Sequence, residues 1–210
     1  MAEIAELSVS IREAAIPGDA AEYSDRCRSP WAHGISSSTI FVSAKDRCIT
    51  MTTEQLTVTI IITSWKNTVG RADKFFSTLT EEQFLLKVAP GRNRILYLLG
   101  HLTAVHDGLH TILGLGERMH PELDAIFVSK PDREIEPLPS ISTLRKYWTD
   151  VNSSLLEKFA RLLPQEWLQR HMAMSEEDYG RDPTRNRLSV LLSRTNHLSY
   201  HLGQAVLATK

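Results

Sequence analysis

The chain is poor in cysteine: two residues among 210, Cys27 and Cys48, both within the first 50. That excludes a disulfide framework, and the lack of any CxxC pair excludes a thiolate zinc site. Long hydrophobic runs are missing as well. The longest apolar neighbourhood, around Ile95 to Leu99, falls far short of the roughly 20 residues that cross a bilayer. Neither sign of charge dominates. Against 24 Lys and Arg stand 25 Asp and Glu, a formal net charge of -1, with no long basic run. This balance argues against a nucleic-acid partner held through its phosphates and against an electrostatic grip on a membrane. Met1 to Gly18 has neither the basic start nor the continuous apolar segment of a secretory leader, so the expected location is cytoplasmic.

Several catalytic signatures are also missing. No GxSxG and no HExxH occurs, and both cysteines lie outside the periodic part of the chain, which argues against serine, cysteine and HExxH-type hydrolysis. A ferritin-like di-metal site needs four carboxylates and two Glu-x-x-His motifs. Only Glu117-Arg118-Met119-His120 matches, and that architecture is rejected.

Hydrophobic residues make up 42% of the sequence, enough to bury the core of one ordinary domain. The pattern changes near Met51. Residues 1–50 are rich in Ser, Ala and Arg, and Pro17, Gly18, Pro30, Gly34 and the Ser36-Ser37-Ser38 run interrupt them. Apart from a short helix over Ala2 to Ala15, they read as an irregular or disordered extension. From Met51 onward the period is helical, with no strand-turn-strand signal. A first helix is expected over about Thr53 to Leu79, capped by Thr53, with Leu56, Ile60, Val69, Ala72 and Phe76 on one stripe. Thr80 starts a short connecting turn. A second helix runs about Asn93 to Gly116 and a third about Ser140 to Leu163. The fourth runs about Asp182 to Ala208, with Asp182 as its cap and Pro183 at its first position. Two polar loops, Pro121 to Pro139 and Gln165 to Gly180, separate the later helices, the second with a turn of helix at Trp167. Four long amphipathic helices predict an all-α, antiparallel four-helix bundle over 51–210.

Eight histidines occur. His33 lies in the irregular segment, and His120 and His171 fall at helix ends or in loops, where an exposed imidazole needs no function. His197 and His201 differ, standing four apart in the fourth helix. Four residues advance about 6 Å and turn about 40° beyond a full revolution, so both rings leave one face and reach one ion. Taken alone, HxxxH is a weak signal, and a pair of half-buried, hydrogen-bonded rings is the commoner outcome. A third ligand must come from elsewhere, and the second helix offers His101, His106 and His110. Spacing alone does not choose among them. His101 has an apolar neighbourhood of Tyr97, Leu98, Ala104 and Val105, which favours it. His106 precedes the polar pair Asp107-Gly108, and His110 reads as facing solvent.

At these residues the chain resembles a known family. Gly100-His101-Leu102-Thr103-Ala104-Val105-His106-Asp107 resembles the second-helix motif of DinB-like proteins. Asn196-His197-Leu198-Ser199-Tyr200-His201-Leu202-Gly203-Gln204 resembles their last-helix motif. The resemblance covers roughly residues 51–210. It implies a bundle of up-down-down-up topology, often a homodimer, with one divalent metal ion, nickel or zinc, on His101, His197 and His201. It also implies chemistry on a small-molecule substrate, with low-molecular-weight thiols as co-substrates of characterised transferases and isomerases in the family.

Three neutral imidazoles leave a coordination position open. An open divalent ion either acidifies bound water or binds a thiol as thiolate, and the second agrees with the resemblance. The expected activity is thus a metal-dependent thiol (S-)transferase, or a related hydrolase or isomerase. The rival reading is a non-catalytic metal- or ligand-binding bundle or a protein-interaction module. Near the triad, Gln204 is placed to hold the His201 tautomer, Tyr97 to donate to a substrate, and Arg194 to attract an anion. For Gln204 and Tyr97 the structural reading outweighs the catalytic one, and Arg194 reads equally well as a solvated charge.

Met51-Thr52-Thr53-Glu54 reads as a protein start, with the first 50 residues lying upstream of the true initiation site; the competing expectation is a genuine flexible tail. Intact-mass spectrometry on the native protein tests this. A mass matching 51–210 is the expected result, and one matching Met1 to Lys210 overturns it.

Overall fold

The structure is a computed structural model that describes residues 39–44, 47–132 and 138–210. The helix expected over Ala2 to Ala15, His33 and Cys27 lie outside the described residues. The chain divides between Thr50 and Met51 into two units.

Where the sequence was read as loop, two strands pair: β1 (Thr39–Ala44) and β2 (Arg47–Thr52). Thr39, Ile40, Phe41 and Val42 in one and Ile49, Thr50 and Thr52 in the other are strand formers. The Gly, Pro and Ser interruptions that mark loop all lie before them.

The rest is helical. α1 (Thr53–Thr78) begins one residue after its cap. The cap is Thr52 rather than Thr53. The Thr52 hydroxyl accepts from Gln55 N at 3.1 Å while the Gln55 side chain accepts from Thr52 N at 2.9 Å, a reciprocal capping box. Its buried stripe is Val58, Trp65, Val69, Ala72 and Phe76. Ile60, expected on that stripe, is 58% exposed, because Val58 holds the seven-residue spacing to Trp65 and Ile60 does not. The β-branched run Val58 to Thr63 stays helical because this stripe continues through it.

α2 (Glu81–Phe84) is the expected short connector, capped by Thr80 with Gln83. α3 (Ile95–Asp107) is buried on nearly every side, the pattern of a helix at the centre of a core. The single second helix expected to Gly116 is broken: α3 caps at Gly108 and α4 (Leu109–Ile112) is a separate turn. α5 (Leu123–Phe127) falls within a segment read as loop. α6 (Ile141–Phe159) starts at the expected Ser140 cap, whose hydroxyl accepts from Thr143 N at 3.1 Å. α7 (Pro164–Trp167) is the turn expected at Trp167.

The last helix starts later than expected. Asp182 ends α8 (Glu176–Arg181), and its carboxylate accepts from Thr184 rather than capping a long helix. α9 (Arg187–Ala208) is capped by Asn186, which accepts from Ser189 N at 3.0 Å. Asn is as good a cap as Asp, and Pro183 precedes a turn rather than a helix.

Around one core α1 packs on α9 and α3 on α6, while α3 also meets α9 and α1 meets α6. α5 lies on α3, and α7 touches both α1 and α9. The Trp65, Phe159 and Trp167 rings meet edge to face, with centroids 5.1 and 5.0 Å apart. Among the described residues no helix is long and apolar enough to cross a membrane.

One buried carboxylate ties the end of α3 to the chain that follows. Asp107 is fully buried. It accepts from Met119 N at 2.8 Å, His120 N at 2.9 Å and Arg118 Nε at 3.2 Å, and the His110 ring lies 3.3 Å away. Burial alone would raise its pKa, but the bonds from His110, Met119, His120 and Arg118 outweigh it and hold the carboxyl well below the usual range. The stabilisation is therefore present above the unfolded carboxyl value, about pH 4, and is lost as pH falls through the folded value. Asp107→Asn is expected to lower stability at pH 7 by roughly 3 kcal/mol, since a buried pair loses one partner. Denaturant unfolding from pH 7 down to pH 2 should show the gap between variant and wild type narrowing below about pH 4; a constant gap would show that the charge is not what matters.

Candidate metal centre

α3 and α9 pack against each other, and where they meet they bring together the three histidines that the sequence singled out. Among the described residues His101, His197 and His201 offer ring nitrogens that all lie within 4.8 Å of one another, a set that can hold a metal ion. His197 Nε2 lies 3.2 Å from His101 Nε2 and 3.1 Å from His201 Nε2. All three rings are partly exposed.

The opposite ring edges explain this convergence. His101 Nδ1 lies 2.8 Å from the Phe127 carbonyl oxygen. A carbonyl only accepts, so Nδ1 carries the proton and Nε2 keeps its lone pair. His201 Nδ1 lies 2.8 Å from Gln204 Oε1, which has the same effect. Gln204 thus does what its spacing predicted. Two lone pairs are aimed at one point by bonds on the far side of each ring, the arrangement that orients metal-binding histidines. His197 Nδ1 is buried without a protein partner among the described residues.

Burial is the largest influence on His197, whose pKa falls to about 4 with His201, His101, Arg194 and His106 adding to the effect. His201 is lowered too, again chiefly by burial, against a raising bond from Gln204. Both are neutral at pH 7, the form that binds metal.

His106 and His110 do not join the triad, and neither faces solvent. Both are fully buried. Asn152 Nδ2 donates to the Trp148 carbonyl at 2.8 Å, so its Oδ1 faces His106 Nδ1 and accepts at 2.7 Å. The His106 ring sits 4.9 Å from Trp148 and 5.7 Å from Trp65. Burial drives its pKa down to about 4, partly opposed by the Asn152 bond. His110 is held by the Asp107 carbonyl at 3.0 Å and by Ser154 Oγ at 3.1 Å. His120 stacks on Tyr147 at 3.7 Å.

Tyr97, expected to donate to a substrate, has its hydroxyl bonded within the protein. Its hydroxyl is taken up by the Lys130 carbonyl and lies 3.1 Å from that of Phe127, while its ring stacks on His101. Burial, then the Asp132 charge, raises its pKa. The element that sequence reasoning missed is the Phe127 carbonyl, a backbone atom in α5 with no side-chain signature. Gly100 admits it: a Cβ there would stand 2.3 Å from the Phe127 ring.

The model of the DinB superfamily matches residues 64–205. The chain belongs to the DinB superfamily. Among curated proteins, none matches it.

Gly100→Ala is expected to push the Phe127 ring aside and destabilise the fold by about 1–3 kcal/mol. Thermal unfolding, together with the nitrogen-15 shifts of the His101 ring, reads both the strain and the loosened Nδ1 bond. An unchanged midpoint and unchanged His101 shifts would show that Phe127 yields without consequence.

Proposed function

We propose that residues 51–210 form a four-helix bundle of the DinB type, apart from the first 50, that holds one divalent ion, nickel or zinc, on His101, His197 and His201. In this reading the protein is a metal-dependent thiol (S-)transferase, or a related hydrolase or isomerase, acting on a small molecule. The observation that carries it is the convergence of three Nε2 atoms with two tautomers fixed from behind by the Phe127 carbonyl and Gln204. A purely structural pair of histidines needs no such alignment. The donor set suits a borderline divalent ion and leaves a coordination position open.

Such an ion would supply Lewis acidity, stabilising a thiolate or a hydroxide at neutral pH. The remaining roles belong to the chain. The Phe127 carbonyl and Gln204 orient two imidazoles, Tyr97 lies parallel to the His101 ring, and burial keeps His197 and His201 in the neutral form. A homodimer, a cytoplasmic location and the absence of nucleic-acid and membrane partners belong to the same reading. In a cytoplasmic setting small thiols would stay reduced, as this chemistry requires.

The first test is metal content by elemental mass spectrometry, on protein purified without a metal-affinity tag. About one nickel or zinc ion per chain is expected in wild type and little in His197→Ala. Gln204→Leu should weaken binding about 10–100-fold, as loss of an orienting partner does. In a cobalt-substituted sample, added thiol should change the visible spectrum. Wild type that takes up no metal would end the reading, and metal without any response to thiol would favour a non-catalytic metal-binding protein.

A further inference from the structure

A second group of polar side chains lies along α9 from the histidines, toward the start of that helix. A cleft of about 300 Å³ opens between Ile112 at the end of α4, the segment at His171, and the first two turns of α9. Its walls are tied by main-chain bonds: Met172 N donates to Ile112 O at 2.8 Å, and Arg187 N to Gln169 O at 3.0 Å. Arg185, Arg194, His171, Ser189 and Ser193 face it, and no carboxylate lines it.

We infer that this cleft is a binding site for the anionic end of a small molecule, a carboxylate or phosphoryl group, gripped by Arg194 and Arg185. The argument starts from what these groups lack. Arg194 Nε and His171 Nδ1 are buried and have no hydrogen-bond partner among the described residues. Nor does Arg194 make an ion pair there. A half-buried guanidinium without a counter-charge is disfavoured, and its fork of donors matches a carboxylate or phosphate. Other arginines show the ordinary alternative. Arg118 is bonded to Asp107 and Asp124, Arg170 to the Met174 carbonyl, and Arg145, whose Nε is also unpaired, through Nη2 to the carbonyls of Phe76 and Leu79.

Arg185 at the exposed rim adds a second positive charge. Asp182, three residues before Arg185, feels that charge but is not part of the lining, and its carboxylate accepts from Thr184 N and Oγ1.

Arg194 links the cleft to the histidines. It precedes His197 by three residues, about 4.5 Å along the helix, and its charge is felt at both His197 and His106. From Ser193 and Ser189 to His197 the helix rises about 6 to 12 Å. A molecule anchored in the cleft would therefore bring a group about that far from its anionic end to the three histidines. Anion binding itself does not depend on the metal; the role of the cleft as the substrate's anchor rests on the function proposed above.

The test is titration of the full chain with inorganic phosphate and, separately, with succinate, followed by amide shifts over 189–194. Saturable shifts are expected for at least one probe, and the preferred probe identifies the group. Arg194→Gln should weaken binding about tenfold or more, as loss of charge-assisted bonds does. Arg194→Lys should restore part of it, and Arg185→Gln should weaken it without touching the buried interior. His197→Ala should bind the anion as wild type does. Far-UV circular dichroism confirms that each variant is folded. No saturable binding in wild type, or binding undiminished in both Arg194→Gln and Arg185→Gln, would overturn the inference. Anion binding that persists in a protein that takes up no metal would sink the catalytic reading alone.

Discussion

Polar groups on α3 are pressed to find partners inside the protein, because that helix is covered almost all round. The constraint is severe: an unpaired buried polar group costs about 1–3 kcal/mol. Thr103 meets it by bonding back to the Leu99 carbonyl and Asp107 through two amides and Arg118, while His106 meets it at Nδ1 through Asn152 and keeps a buried Nε2 without a partner among the described residues. His101 meets it on one side only. Its Nδ1 takes the Phe127 carbonyl, and its Nε2 is left facing the two histidines of α9. Of the ring nitrogens that α3 leaves free, the one on His101 faces α9, and α9 supplies the other two there.

The surrounding field reinforces this. Burial makes His197 and His106 poor bases, and the Arg194 charge depresses both further. Protons are discouraged where the Nε2 atoms meet, while negative charge is favoured beside them. A site of this kind discriminates by charge before it discriminates by shape.

Much of this was legible in the sequence, and the exceptions share a cause. The long helices follow from apolar spacing, and His197 and His201 share a face because four residues nearly complete a turn. Ser140 and Thr80 cap helices as expected because a hydroxyl before a periodic stretch has few other uses. The failures are contests between near-equals. Asp182 and Asn186 are both good caps, and here Asp182 is taken up by Thr184 while Arg187 N bonds to Gln169 O, which places the start of α9 at Asn186. Choosing among His101, His106 and His110 required knowing which faces of α3 meet α6 and which meet α9, a tertiary fact. His106 and His110 looked polar in their local sequence, yet their partners Asn152 and Ser154 lie more than 40 residues away. α5 was hidden within a segment rich in proline and charge, and the main-chain atom it contributes to His101 has no letter of its own.

The anchorage of Asp107 has a bearing on how this chain tolerates change. Its carboxylate grips amides 12 and 13 residues downstream, so the stretch between works as a measured length rather than a loose connector. Adding or deleting a residue there would shift both amides out of reach together and leave a buried charge partly unpaired. Relatives that keep this carboxylate should therefore keep the count of residues that follows it, even where the residues themselves differ. Length would be inherited there more strictly than composition.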